Sequence, residues 1–163
     1  MTNFLCSVSN RFPENYIIGL QASTWGVEKR YKNKIMQCHK GDQLVFVVGG
    51  FVKSIHIIES NVYIGHEPLW PLKDGSNFPY RIKISAPLYS GDVSLPDIAD
   101  QISFMNGKVA WGDTIQGHNG VFNPRLTDTD IEILKNHMQP VEAPPVRNIP
   151  KHDPITEDAK KRC

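Results

Sequence analysis

The sequence predicts an α+β fold, a small barrel or half-barrel with strands through the middle of the chain and short helices between and after them. Three observations carry this. Two β-rich runs, Gln43–Val48 and Phe51–Glu59, meet at Gly49-Gly50, the kind of dipeptide a two-residue hairpin favours. Residues 80–85 alternate, with Tyr80, Ile82 and Ile84 on one face and Arg81, Lys83 and Ser85 on a face expected to be wet. Helical patterns are confined to short stretches after Pro13, Asp97 and Thr127.

Taken in order, Asn3–Val8 reads as a first strand ending at Ser9-Asn10. A helical turn or short helix opens after Pro13 and carries Tyr16–Leu20. Trp25-Gly26-Val27 falls in a loop, followed by Glu28–Lys40, which is too basic to be core throughout. Lys40-Gly41-Asp42 is a turn into Gln43–Val48, whose continuous apolar run suits a buried strand. After the hairpin, Asn61–Lys73 is irregular, broken by Gly65, Pro68 and Pro71. Asp97–Phe104 places Ile98 and Ile102 for a short amphipathic helix, and a second helix aligns Ile131, Leu134 and Met138 on one face. Thr127 can cap that helix, with Asp130 standing where a capping box prefers Glu or Gln. Beyond Gln139, prolines among charges describe an extended segment. The expected division is therefore one domain over residues 1–140 and a proline-rich charged tail or linker over 141–163. No internal repeat is present.

A length of 163 residues fits one domain with a short appendage, and 40% hydrophobic with 21% charged residues supplies one core. No stretch approaches the roughly 18–20 apolar residues of a membrane span. Met1–Val8 lacks the basic start and long apolar run of a signal peptide. No membrane partner is expected, and a cytoplasmic location is. The cysteines Cys6, Cys38 and Cys163 are odd in number and widely spaced, which argues against a disulfide framework and against zinc. The net charge is +1; with five Lys/Arg and four Asp/Glu in residues 141–163, residues 1–140 hold thirteen of each sign. A nucleic-acid surface on such a chain has to be a local patch.

The motifs of common enzymes are missing. None of the six histidines has HExxH or HxH spacing, and no GxSxG, GxxxxGK[ST] or strand-linked GxGxxG occurs. No catalytic residue, metal ligand or cofactor is expected, and the chain reads as a binding domain rather than an enzyme. Gly117-His118-Asn119-Gly120 is either a flexible turn or a loop that approaches a ligand. A base pocket needs aromatic walls, polar groups for the base edge and cations for the flanking phosphates. Trp25 followed at once by Lys29, Arg30, Lys32 and Lys34 has that composition, and Trp70 sits between Pro68 and Pro71. Core packing of the tryptophans and a merely solvated basic face are the competing explanations.

The series Ser9-Asn10, Glu14-Asn15, Trp25-Gly26-Val27, Lys40-Gly41-Asp42, Phe46 and Phe78-Pro79-Tyr80-Arg81-Ile82-Lys83-Ile84, closed by Leu126-Thr127 and Asp130, resembles the EVE domain family over residues 3–139. The resemblance implies a PUA-like fold, a curved β-barrel or sheet flanked by short helices. EVE domains are similar to YTH domains, which read N6-methyladenine in RNA with an aromatic cage, and some belong to modification-dependent restriction systems. Carried over, Trp25 matches the first cage tryptophan. Ser9, Asn10 and Asn15 match polar positions around the base, with one extra residue between the two motifs. Trp70 is the candidate second wall, with Leu69 or Tyr63 as alternatives, and Lys29, Arg30, Lys32 and Lys34 would hold the backbone. The short Gly49-Gly50 hairpin departs from relatives that carry a longer charged excursion.

The expected function is a reader that flips a methylated or otherwise modified base of DNA or RNA into an aromatic-walled pocket, as in the recognition module of a restriction system. A general RNA-binding module without modification specificity is the alternative, and a binder of free nucleosides a third. The tail is either a disordered end or a linker to a fused or associated effector.

Overall fold

The structure, a computed structural model, describes residues 1–9, 12–71, 78–107 and 111–142. The first half of the chain forms β1 (Asn3–Val8), α1 (Glu14–Ala22), β2 (Thr24–Val27), α2 (Lys32–Ile35), β3 (Gln43–Val48), β4 (Phe51–Ile57) and β5 (Tyr63–Ile64). The second half adds β6 (Tyr80–Lys83), β7 (Tyr89–Ser94), α3 (Leu95–Ile98), β8 (Asn123–Leu126), α4 (Asp128–Asn136) and β9 (Gln139–Pro140). A six-stranded sheet runs β8-β1-β3-β4-β7-β9 and a three-stranded sheet runs β2-β6-β5. The two sheets touch where β4 and β6 run on into an Ile58–Ile84 bridge, so the sheet curves without closing into a barrel. The expected α+β class and curved sheet are what the chain adopts. Among the described residues no helix is long and apolar enough to cross a membrane.

β1 and β3 pair in parallel, Asn3 opposite Gln43 through Val8 opposite Val48, with α1, β2 and α2 in the crossover between them. Both faces of this pair are buried. Phe4, Cys6, Val8, Leu44 and Phe46 join a core beneath α1, α2 and the small sheet. Leu5, Val45 and Val47 join a second core with Ile98, Ile102, Ile131 and Leu134. A strand covered on both sides has no wet face, which is why Gln43–Val48 reads as an unbroken apolar run. The hairpin turn is as expected, with Gly49 at φ 59° and Gly50 at φ 82°. A Cβ in that left-handed region costs about 1–2 kcal/mol per residue.

Three expectations change. The stretch assigned to a helix at Asp97–Phe104 starts earlier, at Leu95, because Pro96 fits the first helical turn where no N–H is needed; a 3-10 turn at Ala99–Gln101 ends it. Trp25 lies in strand β2, opposite Ile82, and not in a loop. Arg81, expected on a wet face, is 1% exposed. The period of two in β6 is real, but the chain around Gly65–Trp70 covers the polar face.

The α4 N-terminus is a full capping box. Thr127 Oγ1 accepts from the Asp130 N–H, and the Asp130 carboxylate accepts from the Thr127 N–H, both at 3.0 Å. The same buried carboxylate accepts from the Ser103 N–H (3.0 Å) and hydroxyl (2.7 Å), so a short Asp suffices here and also pins the chain after α3. Asp130→Ala strands two backbone N–H groups and should cost about 2–4 kcal/mol. Urea unfolding checks this, and a parent-like midpoint contradicts it.

A buried polar chain ties α1 to β4. His56 Nδ1 faces the Ser85 carbonyl at 2.8 Å and must carry the proton, leaving Nε2 to accept from the Ser54 hydroxyl at 2.7 Å. Ser54 then accepts from the Tyr16 hydroxyl at 2.7 Å. Burial, only partly opposed by the Ser85 carbonyl, lowers the His56 pKa below its ordinary 6.5. The unfolded chain therefore binds the proton first, and stability is lost as pH falls below about 6.5. The slope of stability against pH between 6.5 and 5 should be shallower in His56→Gln; equal slopes would contradict the network.

Candidate functional site

The crossover between β1 and β3 brings aromatic side chains to the edge of the small sheet. Trp25, half-buried on β2, rests on Phe46 of β3 with ring centroids 4.8 Å apart. Its ring edge meets α1 at Gly19, where an added Cβ would stand 2.7 Å from the indole; a helix-interior glycine, costing about 1 kcal/mol, is needed for that approach. Trp70, 5% exposed, lies in the chain between β5 and β6. The two indoles meet edge to face, 5.8 Å apart and 79° between planes. Phe78 backs Trp70 at 5.5 Å.

Trp70 is held from two sides. Its Nε1–H donates to the Asn15 carbonyl in the first turn of α1 at 3.1 Å, and the Arg81 guanidinium lies 5.4 Å from its ring. Arg81 donates from Nε to the Phe78 carbonyl (2.9 Å), from Nη1 to the Glu67 carboxylate (3.0 Å) and from Nη2 to the Glu67 carbonyl. The Glu67 amide N–H, followed by the Arg81 and Lys83 charges, outweighs desolvation and keeps its carboxyl below the ordinary value. One buried cation thus clamps both ends of the chain that carries Trp70.

In front of this corner is a cavity of about 560 Å³. Ser9, Asn15, Trp25, Trp70, Phe78 and Arg30 line it, together with Tyr31 and with Gly117 and Gly120 of the turn that follows Gln116. Asn15 Oδ1 is buried and has no hydrogen-bond partner among the described residues. An orphan acceptor of this kind costs about 1–3 kcal/mol until a donor reaches it. The Cys6 thiol also lies in the wall; burial raises its pKa to about 12, so it is not a thiolate nucleophile at neutral pH.

The expected site residues divide. Trp25, Trp70, Ser9, Asn15 and Arg30 share the cavity. Asn10 lies outside the described residues. Tyr63 is on β5 with Lys83 Nζ 5.6 Å from its ring, and Leu69 is half-buried; neither lines the cavity. Lys29 and Lys32 are exposed away from it, Lys32 over the Tyr80 ring, and Lys34 is half-buried on α2. Among the wall residues that sequence reasoning did not place there are Phe78, Tyr31, Cys6, Glu28, and Gly117, Gly120 and Val121 of the segment 117–121. The glycine-rich composition of that last segment was the only local signal. Among the described residues no three His, Cys, Asp or Glu side chains gather as a metal site.

No protein-family model matches the chain. It is 27% identical over 124 residues to the UPF0310 protein PH1033 of Pyrococcus horikoshii, covering 68% of this chain and 83% of that one. It is 25% identical over 134 residues to the UPF0310 protein PYRAB08750 of Pyrococcus abyssi, covering 72% and 87%. Among solved structures it is similar to the YTH domain of Zygosaccharomyces rouxii MRB1 in complex with N6-methyladenosine RNA, at a TM-score of 0.56 and 12% identity over 83% of this chain and 86% of that one. It is also similar to the Pho92 YTH domain in complex with m6A, at a TM-score of 0.55 and 9% identity over 88% and 90%. The chain is related to the UPF0310 proteins and has the fold of YTH domains.

Arg81→Met leaves two carbonyls and a carboxylate without their donor and frees the chain around Trp70. Stability should fall by about 2–4 kcal/mol, counting only the two carbonyl bonds, and tryptophan fluorescence should become more accessible to acrylamide. Unchanged quenching would show that Arg81 does not hold the wall.

Proposed function

We propose that this chain is an EVE-type nucleic-acid-binding domain that takes a flipped-out, modified base into the corner between Trp25 and Trp70. The observation that carries this is the pair of nearly perpendicular indoles beside Asn15 Oδ1, which has no hydrogen-bond partner among the described residues. A base stacked on one indole meets the second with its edge, and stacking on an aromatic side chain contributes about 1–3 kcal/mol. Asn15 Oδ1 suits an exocyclic amine that keeps an N–H, which adenine and cytosine carry even when the amine bears one methyl. A methyl group enclosed by the rings adds about 0.8 kcal/mol, and a second such contribution from ring-face contact brings discrimination to about tenfold.

The shared fold with YTH domains captured on N6-methyladenosine RNA supports this reading. So does the way Arg81 and the Asn15 carbonyl hold Trp70 in the cavity wall. Attraction to phosphate is small, because the domain is neutral overall and Arg30 in the cavity wall is paired with Glu28 at 3.4 Å. Affinity should therefore fall only modestly with salt. Recognition of a DNA base within a modification-dependent restriction system is part of the proposal and requires binding to DNA.

The test is a titration with methylated and plain single strands of identical sequence, as RNA and as DNA. The parent should prefer the methylated strand about tenfold. Trp25→Ala should abolish that binding while retaining a parent-like circular dichroism spectrum. Equal affinity for both strands would favour a general RNA-binding module, and a Trp25→Ala protein that binds like the parent removes the pocket assignment.

A further inference from the structure

The cavity wall extends beyond the Trp25–Trp70 corner. Arg30 and Tyr31, from the 3-10 turn Lys29–Tyr31, line it, as do Gly117 and Gly120 of the turn Gly117–Gly120. The Arg30 guanidinium lies 4.7 Å from the Tyr31 ring centroid. Tyr31 in turn meets the His118 ring edge to face at 5.1 Å and 75°. Tyr31 is only half-buried and Arg30 and His118 are exposed, so the guanidinium covers a ring at the cavity wall and His118 abuts that ring edge to face. Holding an arginine and a histidine in such an array costs side-chain entropy and returns little core packing. Unstacked bases bind on surfaces of this composition, aromatic rings beside an arginine plane.

The geometry points to a second subsite, in which the nucleotide next to the flipped base stacks its own base on a platform made by the exposed Arg30 guanidinium over Tyr31, with His118 at its edge. This rests on the base-binding reading of the Trp25–Trp70 corner. It makes the ligand a single strand of at least two nucleotides, because a neighbour still paired within a duplex cannot lie flat on the platform. Glu28, also in the wall and paired with Arg30, offsets part of the arginine charge. The platform therefore works through ring stacking more than through phosphate attraction, and it tolerates different neighbouring bases.

The experiment uses trinucleotides centred on N6-methyladenine or 5-methylcytosine, in ribo and deoxyribo form, with either ordinary or abasic flanking nucleotides. In the parent, ordinary flanks should improve affinity about tenfold over abasic ones. Tyr31→Leu, which keeps apolar bulk against the core, should remove most of that advantage. The exposed His118→Ala should reduce it severalfold without a folding defect. Loss of the advantage in both variants supports the platform. An advantage that survives in both, or is absent from the parent, overturns it. Trp25→Ala separates the two proposals. If it removes binding of the abasic-flanked probe while the platform variants behave like the parent, the corner stands and the platform alone is wrong. If no probe binds the parent, both are wrong.

Discussion

A guanidinium cannot be buried without partners on every side, and Arg81 satisfies that demand by drawing distant pieces of chain around itself. Its donors reach the carbonyls of Glu67 and Phe78, the two ends of the chain that carries Trp70, and its plane lies beside the Trp70 ring. Trp70 is thereby held in the wall of the cavity. The indole N–H of Trp70 then reaches the Asn15 carbonyl, which sets the first turn of α1 beside the wall. Removal of one partner from a buried charged cluster is costly, so the arrangement is locked rather than adaptable.

The second wall depends on a different constraint. Both faces of β1 and β3 are buried, so the crossover between these parallel strands must cover one face completely. α1 and β2 perform that covering, and Trp25 is presented by the strand that closes it. Phe46 supports the ring from the large sheet and Gly19 allows α1 to approach it. Core packing and site geometry are therefore the same set of contacts seen from two sides. The half-exposed Trp25 face and the Asn15 oxygen, which has no hydrogen-bond partner among the described residues, lie beyond what the fold itself requires.

Local features of this molecule were legible in the sequence and long-range ones were not. The Gly49-Gly50 hairpin, the buried run of β3 and the Thr127–Asp130 cap each depend on residues within a few positions, where period and turn chemistry speak directly. The alternation of β6 was legible, but which side was wet was not, because the chain that buries Arg81 arrives from fourteen or more positions away. β2 is four residues long and contains Gly26, too short for a periodic signal. At the site, Trp25, Trp70, Ser9, Asn15 and Arg30 line one cavity, and Tyr63, Leu69, Lys29, Lys32 and Lys34 do not. In the short helical turns at Lys29–Ile35 successive residues point in different directions, so of the basic run only Arg30 reaches the cavity wall.

The proposed function places a modified base in the corner that the two indoles form, and nuclear magnetic resonance of the complex tests it directly. An oligonucleotide carrying a single isotope-labelled base methyl should show intermolecular Overhauser contacts from that methyl to ring protons of both Trp25 and Trp70, with the methyl resonance moved upfield by the ring currents. A methyl that contacts neither indole, or keeps its free-strand chemical shift when bound, would contradict the account.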